Sequence, residues 1–274
     1  MKTSSQMLSM LLPVIYLFFI FIIAYIFFGR NKNLENKIPL MIIILIVVHS
    51  AQIILRGMAI EMVPLSTKFD ALSFLALAIV ILILIIEYSN ENKTIVYFAV
   101  LLSFIIQSIS SMFYSWNLTP HPLLSNPIYA VHVLLAILGY SAISISALYA
   151  LLYIMLYHNI KNHRFGIIYE KLPSLGHLER LSIRSVKIGI ITLGLGILVG
   201  HLHAGDALGT YWPIDDKVIY NNIIWFGYFI GFFITQVYKW RGRWMAYLAM
   251  VGFGVLIITN IMIIFIDYTF HQFQ

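Results

Sequence analysis

Eight apolar runs separated by short polar stretches constrain this chain more than any other feature. They cover roughly 8–29, 38–56, 69–87, 94–114, 128–157, 184–202, 220–238 and 244–267. Each is long enough to cross a hydrocarbon layer of about 30 Å as a helix. In lipid the backbone must bond to itself, so runs of this length spell helices and not open sheets. The remaining composition agrees. The chain is 61% hydrophobic and 10% charged over 274 residues, with a mean hydropathy of +0.91. A soluble domain of this size cannot hide so much apolar surface, and the lipid bilayer is its natural solvent. The expected fold is an all-α integral membrane protein, a bundle of about eight transmembrane helices forming a single polytopic domain over 1–274. The fifth run exceeds what a bilayer needs, so its ends should project or the helix should tilt.

Charge placement predicts the orientation. Arg30, Lys32 and Lys37 follow the first run, and Lys93 separates the third from the fourth. Lys161, Arg164, Lys171, Arg180, Arg184 and Lys187 surround the fifth connection, and Lys239, Arg241 and Arg243 separate the last two runs. These alternating stretches hold thirteen of the seventeen Lys and Arg; only Lys2, Arg56, Lys68 and Lys217 fall elsewhere. Basic loops stay on the cytoplasmic side, so both termini should face outward. The net charge of +6 and pI near 9.4 are therefore topology signals, and no nucleic-acid partner is expected. Positive charge follows the first run rather than preceding it, which argues against a cleaved signal peptide. Between 158 and 183 the sequence KLPSLGHLERLS suggests a short amphipathic helix at the inner surface.

The chain has no cysteine. Disulfides, thiolate metal sites and thiol catalysis are excluded, and a metal or haem would need His, Met or oxygen ligands. The densest set of such groups is Gly200–Lys217, GHLHAGDALGTYWPIDDK, expected as an outer loop between the sixth and seventh runs. It carries His201, His203, Asp206, Tyr211, Trp212, Asp215 and Asp216, groups suited to a flat aromatic ligand. His201 and His203 are two residues apart; they would point apart on a helix and share a pocket only if the helix has ended. Asp215 and Asp216 could cap the next helix or hold a ring nitrogen.

Three chain-distant segments bring imidazoles to the same outer depth: the start of the fifth run with His132, the loop, and His271 beyond the eighth run. Two imidazoles on opposite faces of a porphyrin make the axial pair of a b-type haem. Alternatively, His132 only bonds a neighbouring helix, and Tyr211 and Trp212 are interfacial belt residues. His49 lies inside the second run, either as a functional group or as a packed, hydrogen-bonded one. His121, His158, His163 and His177 read as turn or solvated residues. Asp70, near Lys68, reads as a helix-start acid. Deep polar groups beyond His49, Asn221 and Asn222 are few, which disfavours a transporter of small molecules or lipids.

These residues resemble the cytochrome c assembly (CcsA/ResC/CcmC-like) haem-handling membrane proteins, with the strongest match over about 38–271. The family's outer loop reads WGxxWxWDPKE, and LGTYWPIDDKV here matches at Gly209, Trp212, Asp215 and Lys217. Leu208, Ile214 and Val218 stand where the family has two tryptophans and an acid. SNPIYAVHVLLAILGYSAI, from Ser125, is similar to the segment SxxLxxHVxxxxxGYxxL and sets His132 at an outer haem-ligand position. Phe270-His271-Gln272-Phe273 matches the second outer histidine, and His49, Arg56, Pro64, Phe69 and Asp70 align with a histidine–arginine–proline–aromatic–acid segment. Phe233 stands where the family carries a deeper histidine, and His203 at a position that is often aromatic.

The resemblance implies a haem-binding and haem-delivery component of cytochrome c maturation, working as part of a haem lyase complex. His132 and His271 would ligate haem b iron, with Trp212, Tyr211, Gly209, Asp215, His203, His201 and His49 as further cofactor contacts. Implied partners are a ResB/CcsB-like membrane protein and apocytochrome c, in the bacterial cytoplasmic membrane. HemX-like relatives of eight helices offer the alternative of a regulator or scaffold of haem biosynthesis.

Overall fold

The computed structural model describes residues 2–29, 32–88, 93–114, 126–214 and 216–265. All regular structure in them is helical. In chain order the helices are α1 (Lys2–Phe28), α2 (Lys32–Glu35), α3 (Ile38–Ile60), α4 (Lys68–Glu87), α5 (Thr94–Met112), α6 (Pro127–Lys161), α7 (Ile167–Lys171), α8 (Leu175–Leu208), α9 (Asp216–Val237) and α10 (Arg243–Phe265). Eight of them, all but α2 and α7, are long and apolar enough to cross a membrane, in register with the eight expected runs. The chain is a multi-pass membrane protein.

The helices gather into two compact units, residues 1–125 and 126–273. In the first, α1 packs on α3 and α5, and α4 packs on the same two helices, which closes a ring of four. Its apolar core is built from Leu12, Tyr16, Ile23, Ile42, Leu45, Val80, Val96 and Val100. In the second, α6 and α8 form the central pair, α10 packs on α6, and α9 bridges α8 and α10. Ile143, Leu193, Ile224 and Leu256 meet at its centre.

Local chemistry sets the helix ends. Thr67 caps α4 through a capping box: its hydroxyl accepts from the Asp70 N–H at 3.0 Å, while the Asp70 carboxylate accepts from the Thr67 N–H at 3.1 Å. At the other end of α4, the Lys93 ammonium donates to the carbonyls of Glu87 and Tyr88, where a cation complements the helix dipole. Asn126 caps α6, with Pro127 at the first helical position.

Two expectations are corrected. The inner segment is not one short amphipathic helix: α7 is a single turn, and Ser174 caps a new helix that continues through HLERLS into the membrane. The outer loop does not start at Gly200. No proline intervenes between Gly200 and Leu208, so α8 runs on until Gly209 takes the left-handed conformation, φ +71°, and donates its N–H to the Gly205 carbonyl. At 35 and 34 residues, α6 and α8 reach about 50 Å each, well past a bilayer core of about 30 Å.

Candidate haem site at one end of the α6–α8 pair

The site grows from one helix pair in a fixed antiparallel register. Along the contact, Ile143 faces Gly189, Gly139 faces Leu193, Ala136 faces Gly196, and His132 faces Gly200. Small residues let the two backbones approach closely. A methyl group on Gly139 would lie 2.7–2.9 Å from Leu193, much of it against backbone. On Gly200 it would lie 2.6 Å from Cε1 and Nδ1 of His132. Gly200 is therefore the space in which the His132 imidazole sits.

His132 Nδ1 lies 2.6 Å from the Gly196 carbonyl oxygen. A carbonyl only accepts, so Nδ1 carries the hydrogen, and in the neutral ring the lone pair is on Nε2. This is how proteins orient a metal-ligating histidine: the backbone holds one nitrogen and sets the other as a σ-donor. His132 does bond a neighbouring helix, through Nδ1 to the α8 backbone.

One rung further out, Tyr129 and His203 meet. The Tyr129 ring centroid is 6.3 Å from that of His132 and 6.3 Å from that of His203. His203 is 8% exposed, and among the described residues neither of its ring nitrogens has a hydrogen-bond partner.

His201 points elsewhere, as two helical residues two apart must. Its Nδ1 donates to the Tyr211 carbonyl at 2.7 Å, and its Nε2 accepts from the Asn222 amide at 3.2 Å. Trp212 lies over its ring at 4.3 Å between centroids. Tyr211 folds back against Gly205, where any side chain would collide with its ring. These contacts tie the 209–214 turn down onto the end of α8. Tyr211, Trp212 and Ile214 remain exposed, at 58%, 67% and 90%. Asn221 accepts from the Tyr140 hydroxyl at 2.9 Å, and the Trp225 indole donates to the Ile190 carbonyl at 2.8 Å, so α9 is fastened to both α6 and α8. Asp215 and His271 lie outside the described residues.

In the first unit, His49 is fully buried, and both its nitrogens are used: Nδ1 meets the Tyr16 hydroxyl at 2.9 Å and Nε2 the Ser73 hydroxyl at 2.9 Å. One helical turn or two beyond, Arg56 pairs with Asp70, both about 1% exposed, and its guanidinium stacks over Phe69 and Tyr114 at 4.8 and 5.1 Å. Burial pushes the Tyr114 phenol above its usual pKa, with Arg56 pulling it back. The buried polar set is thus larger than the sequence suggested, because Arg56, Gln52 and Gln107 all turn inward. Sequence reasoning also missed Tyr129, Gly196 and Gly200 as partners of His132. The spacing 196–200–203, one stripe of a helix, was the signal that could have found them.

Among the described residues, no group of three or more His, Cys, Asp or Glu side chains is placed to hold a metal ion. The candidate donors present are the His132 and His203 imidazoles, each beside Tyr129, and porphyrin iron needs protein ligands only at its two axial positions.

Comparison with known proteins identifies the family. The profile of the family described as "Cytochrome C assembly protein" matches residues 65–271. A cytochrome c biogenesis protein CcsA of Guillardia theta is 28% identical over 230 residues, covering 77% of this chain and 76% of the relative. One from Prochlorococcus marinus (strain MIT 9301) is 25% identical over 266 residues, covering 89% and 86%. A Protein HemX of Brevibacillus brevis is 28% identical over 184 residues, covering 66% of each. The family match spans most of the chain, from the start of α4 past the end of α10, and takes in the whole α6–α8 site. This chain is a member of the cytochrome c assembly protein family.

Proposed function

We propose that the chain holds haem b at the outer membrane face during cytochrome c maturation and presents it to apocytochrome c. The observation that carries this reading is the His132 Nδ1–H bond to the Gly196 carbonyl, which fixes the ring against α8 and sets its tautomer as metal-ligating histidines require. His271 would be the second histidine to hold the iron. Trp212 and Tyr211 on the tied turn, with Gly209 shaping it and Asp215 following, cover one edge of the ligand. His201 serves as the post to which that turn is fastened, and His49 stays in its hydrogen bonds.

Haem bound here supplies the vinyl groups to which the apocytochrome's thiols add. The chain's own residues bind and orient. His132 fixes position and depth, and the exposed turn leaves the ligand open to a second protein. On the positive-inside argument both termini and the turn face outward, in a bacterial cytoplasmic membrane, with a ResB/CcsB-like protein as partner. No nucleic acid is involved.

The test is the absorption spectrum of detergent-purified protein, oxidised and reduced, beside His132→Ala and His271→Ala. A b-type spectrum lost or converted to a high-spin form in His132→Ala is the expected result. A wild type that neither carries haem nor takes it up overturns the reading. That outcome would favour a HemX-like regulator or scaffold of haem biosynthesis, which the HemX similarity and the loop's missing tryptophans support.

A further inference from the structure

We propose that His203 is an iron ligand in this chain, supplied by the same helix pair as His132 and able to take the coordination position that His271 vacates. The inference rests on the haem reading above. Gly196, Gly200 and His203 form one stripe of α8, four and then three residues apart. Facing them on α6 are His132 and, one turn outward, Tyr129. The first two α8 positions are spent on His132: one gives its carbonyl, the other its empty space. The third places a second imidazole on the next rung, against Tyr129.

His203 is buried, yet among the described residues nothing bonds to either of its nitrogens. Buried polar groups in proteins are ordinarily satisfied, and an exception calls for a reason. Its neighbour in sequence shows the contrast. His201 has both nitrogens in hydrogen bonds and an indole on its face, so the end of α8 keeps one imidazole for construction and one in reserve. Phenylalanine or leucine would fill the same space beside Tyr129 without stranding two polar atoms. What an imidazole adds is a lone pair. No carboxylate or third histidine joins the pair among the described residues, which disfavours a bare divalent ion, since such an ion needs three or four protein ligands. Porphyrin iron needs only axial ones. Three imidazoles for two axial positions would let iron keep two nitrogen ligands while one of them is exchanged.

The experiment uses the full-length protein in detergent, loaded with haem, with absorption and EPR spectra of the ferric state as the readout. His271→Ala should remain six-coordinate and low-spin. Adding His203→Phe should convert it to a high-spin form and weaken haem affinity by about tenfold or more, the scale on which coordination-shell changes act. His203→Met in the same background should restore a low-spin species with a raised midpoint potential, as a His/Met pair gives. The proposal is overturned if His271→Ala alone is already high-spin, or if the Phe and Met replacements leave its spectrum unchanged. A spectrum that responds to His132→Ala but to no His203 variant sinks this proposal and leaves the haem reading standing. A wild type that takes up no haem sinks both.

Discussion

His49 and His203 are both buried histidines inside spanning helices, and the two regions around them treat an imidazole in opposite ways. At His49 every bonding direction of the ring is filled: a tyrosine hydroxyl on one nitrogen, a serine hydroxyl on the other. Its surroundings continue the pattern, with Gln52 donating to Ser9 at 2.9 Å and Arg56 closed onto Asp70. At His203 the ring is also buried, and its described surroundings offer neither nitrogen a hydrogen bond. A histidine whose nitrogens are both occupied is a structural crosslink, because taking up a metal would break bonds already made. One left bare at a close-packed helix contact is maintained for something the helices do not themselves provide. Membrane depth alone does not separate these cases; the hydrogen-bond accounting does.

The largest effect expected from this contrast is at the ion pair of the filled region. Asp70→Ala removes the partner of a buried guanidinium and half of the α4 capping box together. Breaking a buried pair from one side costs about 3–5 kcal/mol. Thermal unfolding in detergent should show a large drop in stability or a failure to accumulate folded protein. Arg56→Met with Asp70→Asn, which removes both charges and keeps an acceptor at the cap, should recover much of the loss. If Asp70→Ala melts with the wild type, the polar seam of the first unit is not a structural element and the comparison fails on that side.

His49→Leu comes next. It strands the Tyr16 and Ser73 hydroxyls in an apolar interior, and an unpaired buried group costs about 1–3 kcal/mol. Adding Tyr16→Phe and Ser73→Ala removes the stranded groups as well, so the triple variant should be more stable than His49→Leu alone. The cycle measures coupling directly. Additive losses would mean that the hydrogen bonds seen at His49 contribute nothing to the fold.

The fold was legible in the sequence to the extent that hydrophobicity writes it. All eight spanning helices coincide with apolar runs, and the long fifth run became the 35-residue α6. Where the chain turns was less legible. HLHAGDAL carries loop-like polar residues, yet each of them tolerates a helix, and only the left-handed Gly209 ends α8. The site divides the same way. His132 stood out as an imidazole near a membrane face. Its partner did not, because the Gly196 carbonyl is a backbone atom 64 residues away, reachable only once the α6–α8 register is known. His201 and His203 looked alike in the sequence. They separate only when the helix continues past Gly200 and turns one toward Trp212 and the other toward Tyr129.

The smallest expected effect is the sharpest test of the difference. His203→Phe replaces the bare ring with an apolar one of similar size beside Tyr129. It removes two buried polar atoms that have no partner among the described residues and strands no others there. A buried polar ring without hydrogen bonds is a liability to the fold, so stability without haem should be unchanged or rise by about 1 kcal/mol. The same measurement on His49→Phe should show a loss, because there the hydroxyl partners remain behind. The two variants make the same chemical change at two buried histidines and are predicted to move unfolding in opposite directions. A stability loss at His203 comparable to that at His49 would mean the ring is held by the fold after all, and its reserve as a ligand would have no physical basis. A neutral or stabilising result, together with a haem spectrum that depends on His203 once His271 is gone, would leave ligation as the reason an imidazole stands there.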